Sequence, residues 1–176
     1  MKILTCLGNP GKKYSSTRHN IGFIIGDYLA SEMNISLKKK EFSSLCGQGK
    51  LDGADILIIQ PQTYMNESGT AVQKAMTYHK LDPDDLIVIH DEIELSFGEI
   101  RTKFGGGHKG HNGLRSIIKH ISSPDFYRIR FGVGRPDHPE YSVADYVLSS
   151  FNKEETSSLK DRLPHVKETI ISILNS

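Results

Sequence analysis

Apolar and polar positions change period repeatedly along this chain. KILTCLG opens with an apolar run that stops at Gly8–Gly11, which predicts a buried strand and a turn. From Ile21 to Met33 the apolar residues fall at 21, 24, 25, 28, 29 and 33, the spacing of one helical face. SSLCGQGKL and DILIIQP read as two strands joined at Asp52-Gly53, a pair suited to a tight hairpin. SGTAVQKAMTYH returns to helical spacing, with Val72, Ala75, Met76 and His79 along one side. LIVIHDE begins with four consecutive apolar residues, as expected of a central strand covered on both faces. GEIRTKF reads as another strand. Asn112–Ile121 puts Leu114, Ile117, Ile118 and Ile121 on one helical face, and YRIRFGVG alternates as a strand with Arg128 and Arg130 on the same side. The tail from Asn152 is expected to be helical, broken or kinked near Pro164. This order of elements predicts one α/β domain over residues 1–176, a mixed sheet flanked by helices.

Composition narrows the class. The 176 residues suffice for one sizeable core, and 37% apolar against 24% charged residues is ordinary for a globular protein. No run of about 18 apolar residues is present, so no membrane span is expected. Ile3–Leu7 is too short for the core of a secretion signal. Two cysteines, Cys6 and Cys46, build no disulfide framework and favour a reduced, cytoplasmic setting. The net charge of +1 points to no partner, but its distribution does. Residues 82–99 carry seven acids and no Lys or Arg, whereas residues 100–135 carry eight Lys or Arg against one Asp. Such a basic stretch beside a glycine-rich loop is a candidate footprint for phosphates, unless the charges lie on different faces and merely solvate the fold.

Candidate chemistry gathers where strands give way to helices, the usual ligand edge of an open α/β sheet. Asn9 follows the first strand, His19-Asn20 precedes the first helix, Asn66 follows IIQPQTYM, His90-Asp91 closes the most apolar strand, and Asn112 opens a helix. Each has a local explanation: helix caps for Asn66 and Asn112, a turn cap for Asp91, an Asx-turn for Asn9, a core site for His19. Five together favour a cleft. A histidine held by a carboxylate is a general-base arrangement. His90 and Asp91 are strand neighbours and point apart, so Asp91 is better matched to His19 across the cleft. Clustered asparagines suit an amide-rich substrate. No Gly-x-Ser-x-Gly elbow is present and Cys6 sits inside an apolar strand, which leaves water as the nucleophile.

The loop GGGHKGHNG (105–113) admits three readings: phosphate cradle, metal site through His108 and His111, or flexible lid. A phosphate loop needs Ser or Thr after its lysine, and Lys109 is followed by Gly110. A zinc motif needs a helical His-Glu-x-x-His, which is absent. A flexible loop that delivers His111 and Asn112 to a helix N-terminus remains, with no metal expected.

Four blocks, GNPGKKYSSTRHNIG (8–22), PQTYMNESG (61–69), HDEIEL (90–95) and GGGHKGHNGL (105–114), together resemble the bacterial peptidyl-tRNA hydrolases. The likeness runs from Lys2 to about Phe151, and the tail carries no signature. It implies a monomeric enzyme with a twisted mixed sheet, no metal or other cofactor, and peptidyl-tRNA as substrate, whose ester it would cut to recycle tRNA. By that resemblance His19 is the base, Asp91 orients it, and Asn9 helps distinguish peptidyl from aminoacyl substrates. Asn66 and Asn112 would meet the peptide and terminal nucleotide, Tyr14, Tyr64 and Met65 would line the same cleft, His111 would help bind substrate, and Lys103 and Arg130 would meet tRNA phosphate. Ser96-Phe97, Tyr64 and Arg101 depart from the usual proline, phenylalanine and lysine. The rivals are a non-catalytic RNA-binding member of the same fold and a peptidase or small-ester hydrolase on a similar fold with no use for tRNA.

Overall fold

In the computed structural model, which describes residues Met1–Ser176, the first apolar run is strand β1 (Lys2–Cys6). Its side chains alternate between two cores. Leu4 and Cys6 enter one, and Ile3, with Leu7 just beyond the strand, enters the other. The remaining strands are β2 (Lys39–Glu41), β3 (Ser44–Leu51), β4 (Ala54–Pro61), β5 (Leu86–Glu92), β6 (Ile100–Phe104) and β7 (Tyr127–Gly132), in the order β2-β3-β4-β1-β5-β7-β6. β4, β1, β5 and β7 are parallel, while β2, β3 and β6 add antiparallel margins. The expected mixed sheet is therefore present.

Helices cover both faces. Ile21, Ile25 and Leu29 of α1 (Ile21–Glu32) join Leu159, Val166 and Ile170 of α5 (Lys153–Leu174) over one face. Val72, Ala75 and Met76 of α2 (Ser68–His79) join Leu114 and Ile117 of α3 (Asn112–Ile121) over the other. β5 shows why its run is unbroken: Ile87 and Ile89 face the first core, Leu86 and Val88 the second. A short α4 (Val143–Val147) follows β7. The β3–β4 hairpin turns at Asp52 and Gly53, both left-handed, as a two-residue turn requires.

Two elements left no readable pattern in the sequence, and one expectation changes. β2 has only exposed, charged residues and no apolar period to reveal it. α4 is five residues long, too short for a periodic signal. The break near Pro164 is absent, because α5 passes through that residue. Pro164 is exposed, so water can reach the carbonyl that its missing N–H leaves free, and the buried face of Leu159, Val166 and Ile170 continues across it.

α1 lies close on the sheet at Gly22. A Cβ built there would meet the Leu7 carbonyl oxygen at 2.4 Å and nitrogen at 2.5 Å, and the Ile89 oxygen at 2.8 Å. All three are backbone atoms of the sheet and cannot rotate away. Gly22→Ala is therefore expected to destabilise the fold by about 1–3 kcal/mol or more, the usual cost of overpacking, read as a lower urea midpoint. An unchanged midpoint would mean that α1 shifts freely over the sheet.

Candidate active site

The parallel strands end together, and the polar junctions collect at that end. Asp91, near the end of β5, is buried with its side chain 2% exposed. Each carboxylate oxygen takes one histidine: Oδ2 is 2.8 Å from Nδ1 of His19, and Oδ1 is 2.8 Å from Nε2 of His111. An ionised carboxylate only accepts, so both ring nitrogens donate. Nδ1 of His111 in turn accepts from the Gly113 and Leu114 amides, capping α3. That fixes the His111 tautomer. Asn112, expected as a possible cap, is instead the first helical residue and exposed.

Electrostatics follow from the geometry. Burial alone would lower the His19 pKa, but the charge of Asp91 and its hydrogen bond outweigh burial and raise it above the ordinary 6.5. Burial alone would raise the Asp91 pKa, but His19 and His111 reverse this and hold the carboxyl well below its usual range. His90 takes no part in the carboxylate contacts. Its Nδ1 donates to the Asp91 backbone carbonyl at 2.8 Å, and burial, then the adjacent His111, push its pKa down to about 4. His90 thus stays neutral at physiological pH.

A cleft of about 430 Å³ opens over this group. His19, Asp91, His111 and Asn112 line it, with Lys109 from the glycine loop and Val143 and Val147 from α4 as its apolar wall. Asn9 sits to one side, and its orientation is determined. Oδ1 accepts from the Met65 amide at 2.7 Å, while its backbone N–H and C=O exchange bonds with the Asn20 side chain, each 2.8 Å. The amide nitrogen of Asn9 is left without a protein partner. Asn9 therefore forms no Asx-turn and Asn66 caps no helix; Glu67 occupies that position without a side-chain bond. Met65 is core rather than lining: it is 4% exposed and its sulfur lies under the first turn of α3, at Gly113. Tyr64, exposed and at φ 62°, meets Tyr14 edge-on at 6.4 Å. Asn66 is exposed beside it.

The basic stretch is partly neutralised in space. Arg101 pairs with Glu99, Arg130 with Glu92 and Arg135 with Glu94, so three of its cations rest on the acidic segment that precedes it. Arg128 is 2% exposed and donates to the carbonyls of Gly106, Gly107 and Pro124. The glycine loop, expected to be flexible, is thus tethered from beneath at Gly106 and Gly107. Lys103 lies against Gly106, whose absent Cβ would meet its Nζ at 2.8 Å. Burial first, and then the charges of Lys109, Arg128 and Arg130, lower the Lys103 pKa, while Glu92 opposes the shift.

Comparison with known proteins settles the family. The peptidyl-tRNA hydrolase family model matches residues 3–176. The chain belongs to the peptidyl-tRNA hydrolase family. It is 46% identical over 170 residues to the peptidyl-tRNA hydrolase of Geotalea daltonii, covering 97% of this chain and 88% of that one. It is 48% identical over 163 residues to that of Syntrophotalea carbinolica, covering 93% and 85%. Among solved structures it resembles the peptidyl-tRNA hydrolase of Acinetobacter baumannii, with a TM-score of 0.91, 37% identity, and 99% and 89% of the two chains covered. The peptidyl-tRNA hydrolase match extends past Phe151 into the tail, where the short motifs had shown nothing. One departure has a packing reason. Phe97 lies edge-on to Phe131 and Phe151 at 6.1 and 6.0 Å, tying the loop after β5 to β7 and the entry to α5.

Proposed function

We propose that this chain hydrolyses the ester of peptidyl-tRNA with water as nucleophile and His19 as general base. The observation that carries the reading is Asp91, held by a histidine on each oxygen in a cleft wall. Nδ1 of His19 is committed to Asp91, so Nε2, which has no protein partner, is the basic nitrogen. It takes a proton from water as the water oxygen attacks the ester carbonyl, and Asp91 stabilises the imidazolium. The tetrahedral intermediate then expels the ribose 3′ oxygen, which takes that proton back from His19. The open amide nitrogen of Asn9 donates to a substrate carbonyl, with the exposed amides of Asn66 and Asn112 nearby. A free α-ammonium cannot satisfy groups set for a peptide amide, and each group left unpaired costs about 1–3 kcal/mol.

Metal is not needed on this reading. Nδ1 of His19, the Asp91 carboxylate and Nε2 of His111 lie within 4.8 Å of one another. Yet Nε2 of His111 carries its proton because Nδ1 caps α3, so it has no lone pair to offer without undoing the cap. The donor set does not fit a resident cation.

The non-catalytic rival leaves the doubly held carboxylate unexplained. The deciding assay is peptide release from N-blocked aminoacyl-tRNA, with unblocked aminoacyl-tRNA as control and a chelator present. Release only from the blocked form supports the reading; tRNA binding without release would favour the rival.

Lys103 and Arg130 meet tRNA phosphate on this reading, with Lys103 the stronger because Glu92 offsets Arg130. Lys103→Ala plus Arg130→Ala should raise KM for peptidyl-tRNA and spare a minimal nucleotide ester. Lys103→Ala alone should cut the slope of log KM against log salt by about 1. An equal effect on both substrates would place these residues away from the tRNA body.

A further inference from the structure

The residue before the base is the most heavily bonded side chain at the site, and nothing in the mechanism above uses it. Arg18 is 7% exposed. Its Nη2 donates to Oε1 of Glu155 at 2.6 Å and its Nε faces Oε2 at 3.4 Å, a fork onto one carboxylate. Its Nη1 donates to the Ser149 hydroxyl at 2.6 Å and the Ser150 carbonyl at 3.0 Å. The guanidinium also lies over the Tyr146 ring of α4, 4.3 Å from its centre. Glu155 is no loose partner: it is the third residue of α5 and closes the capping box with Asn152.

We propose that Arg18 is a positioning residue of the hydrolase: its fork onto Glu155 holds the turn that carries His19, and joins that turn to the α4 wall of the cleft. The inference rests on His19 being the base. The turn Arg18–Asn20 is one short helical turn with no side-chain cap of its own. Its position is imposed from outside, on both sides of His19. Asn20 grips Asn9 on one side, and Arg18 grips α4 through Tyr146, the chain just after it, and α5 on the other. The backbone supports the same join, since Arg18 N–H donates to Ser149 and Phe151 N–H to Ser16. His19 then needs only its ring torsions to reach Asp91.

A buried ion pair is often no better for stability than apolar residues of the same size. Here it supplies direction. A planar guanidinium can satisfy a carboxylate and two neighbouring acceptors at fixed angles, which a lysine cannot. The same group contacts α4, so a shift of the cleft wall is transmitted to the base.

The test compares Arg18→Lys, Arg18→Met and Glu155→Gln as full-length proteins, on N-blocked aminoacyl-tRNA, at a temperature where each is folded by circular dichroism. The expected result is a kcat lowered about ten-fold in Arg18→Lys and more in Arg18→Met, with KM within two-fold of wild type. Glu155→Gln, which keeps the shape but weakens the fork, should fall between wild type and Arg18→Met. If Arg18→Met does not fold, the lysine and glutamine variants still decide the matter. A purely structural role would lower the melting temperature and leave kcat of the folded enzyme intact, which would overturn the inference. So would a raised KM at unchanged kcat. His19→Ala is run alongside: if it is inactive while the Arg18 variants turn over normally, this inference fails and the reading of the base stands.

Discussion

His19→Ala should lower kcat by roughly 10²–10⁴-fold, the usual contribution of a general base, while tRNA binding persists. Nδ1 of His19 is its only bonded ring atom, and Asp91 its only polar partner. Truncation therefore removes the proton acceptor without touching Lys103 or Arg130. It also leaves Asp91 with His111 as a remaining donor, so the buried carboxylate is not stranded and the fold should survive. The measurement is single-turnover peptide release together with equilibrium binding of tRNA. Turnover near that of wild type would place the base elsewhere, and His111 would be a poor substitute, because both its nitrogens are already engaged.

Asp91→Asn should be nearly as severe, for a reason visible in the hydrogen bonds. Two N–H groups converge on two carboxylate oxygens. An asparagine has one oxygen and one NH₂, so whichever way it turns, one histidine faces a donor with a donor. Turning the oxygen to His111 preserves the cap of α3 but forces His19 to change tautomer or swing away. Turning it to His19 keeps the base in place but disturbs the start of α3. A loss of about 10²-fold or more in kcat is expected on the scale of other general-base sites. The pH profile gives a second readout with a definite sign. On the proposed mechanism the working base is neutral His19, and its folded pKa is raised, so activity in wild type is expected to fall as pH drops through a value above 6.5. In the variant the raising charge is gone and burial, which lowers the pKa, remains. The acid limb should therefore move to lower pH while the plateau drops. A limb that stays in place would mean that another group sets it.

Much of this architecture was already legible from local pattern. The apolar run of β1, the alternation of β7, an unbroken apolar β5 and helical spacing in α1, α2 and α3 each reflect which side of one element is buried, and burial leaves its mark on neighbouring residues in the chain. The pairing of His19 with Asp91 was accessible for a related reason. Strand neighbours point apart, which freed Asp91 from His90, and the structure indeed gives His90 only the Asp91 backbone carbonyl. Where the apolar period was missing, as in Lys39–Glu41, or the element was a single turn longer than a cap, as in Val143–Val147, no local signal existed to read.

Contacts between distant segments left no such mark. Arg18 and Glu155 are 137 positions apart, and nothing near either residue names the other. Arg128, counted in the sequence only as one charge of the basic stretch, is buried beneath the loop it holds, where it donates to three backbone carbonyls. His111 gives one nitrogen to the start of α3 and the other to Asp91, and its neighbours in the chain name only the first of these partners. Charge along the chain suggested two opposed patches, and folding laid Arg101, Arg130 and Arg135 on the acids before them. Periodicity records which side of an element is dry, a property each element has by itself. Which donor meets which acceptor depends on how the elements are stacked, and a hydrogen bond reaches only about 3 Å, so those partners are set by the packed sheet and helices.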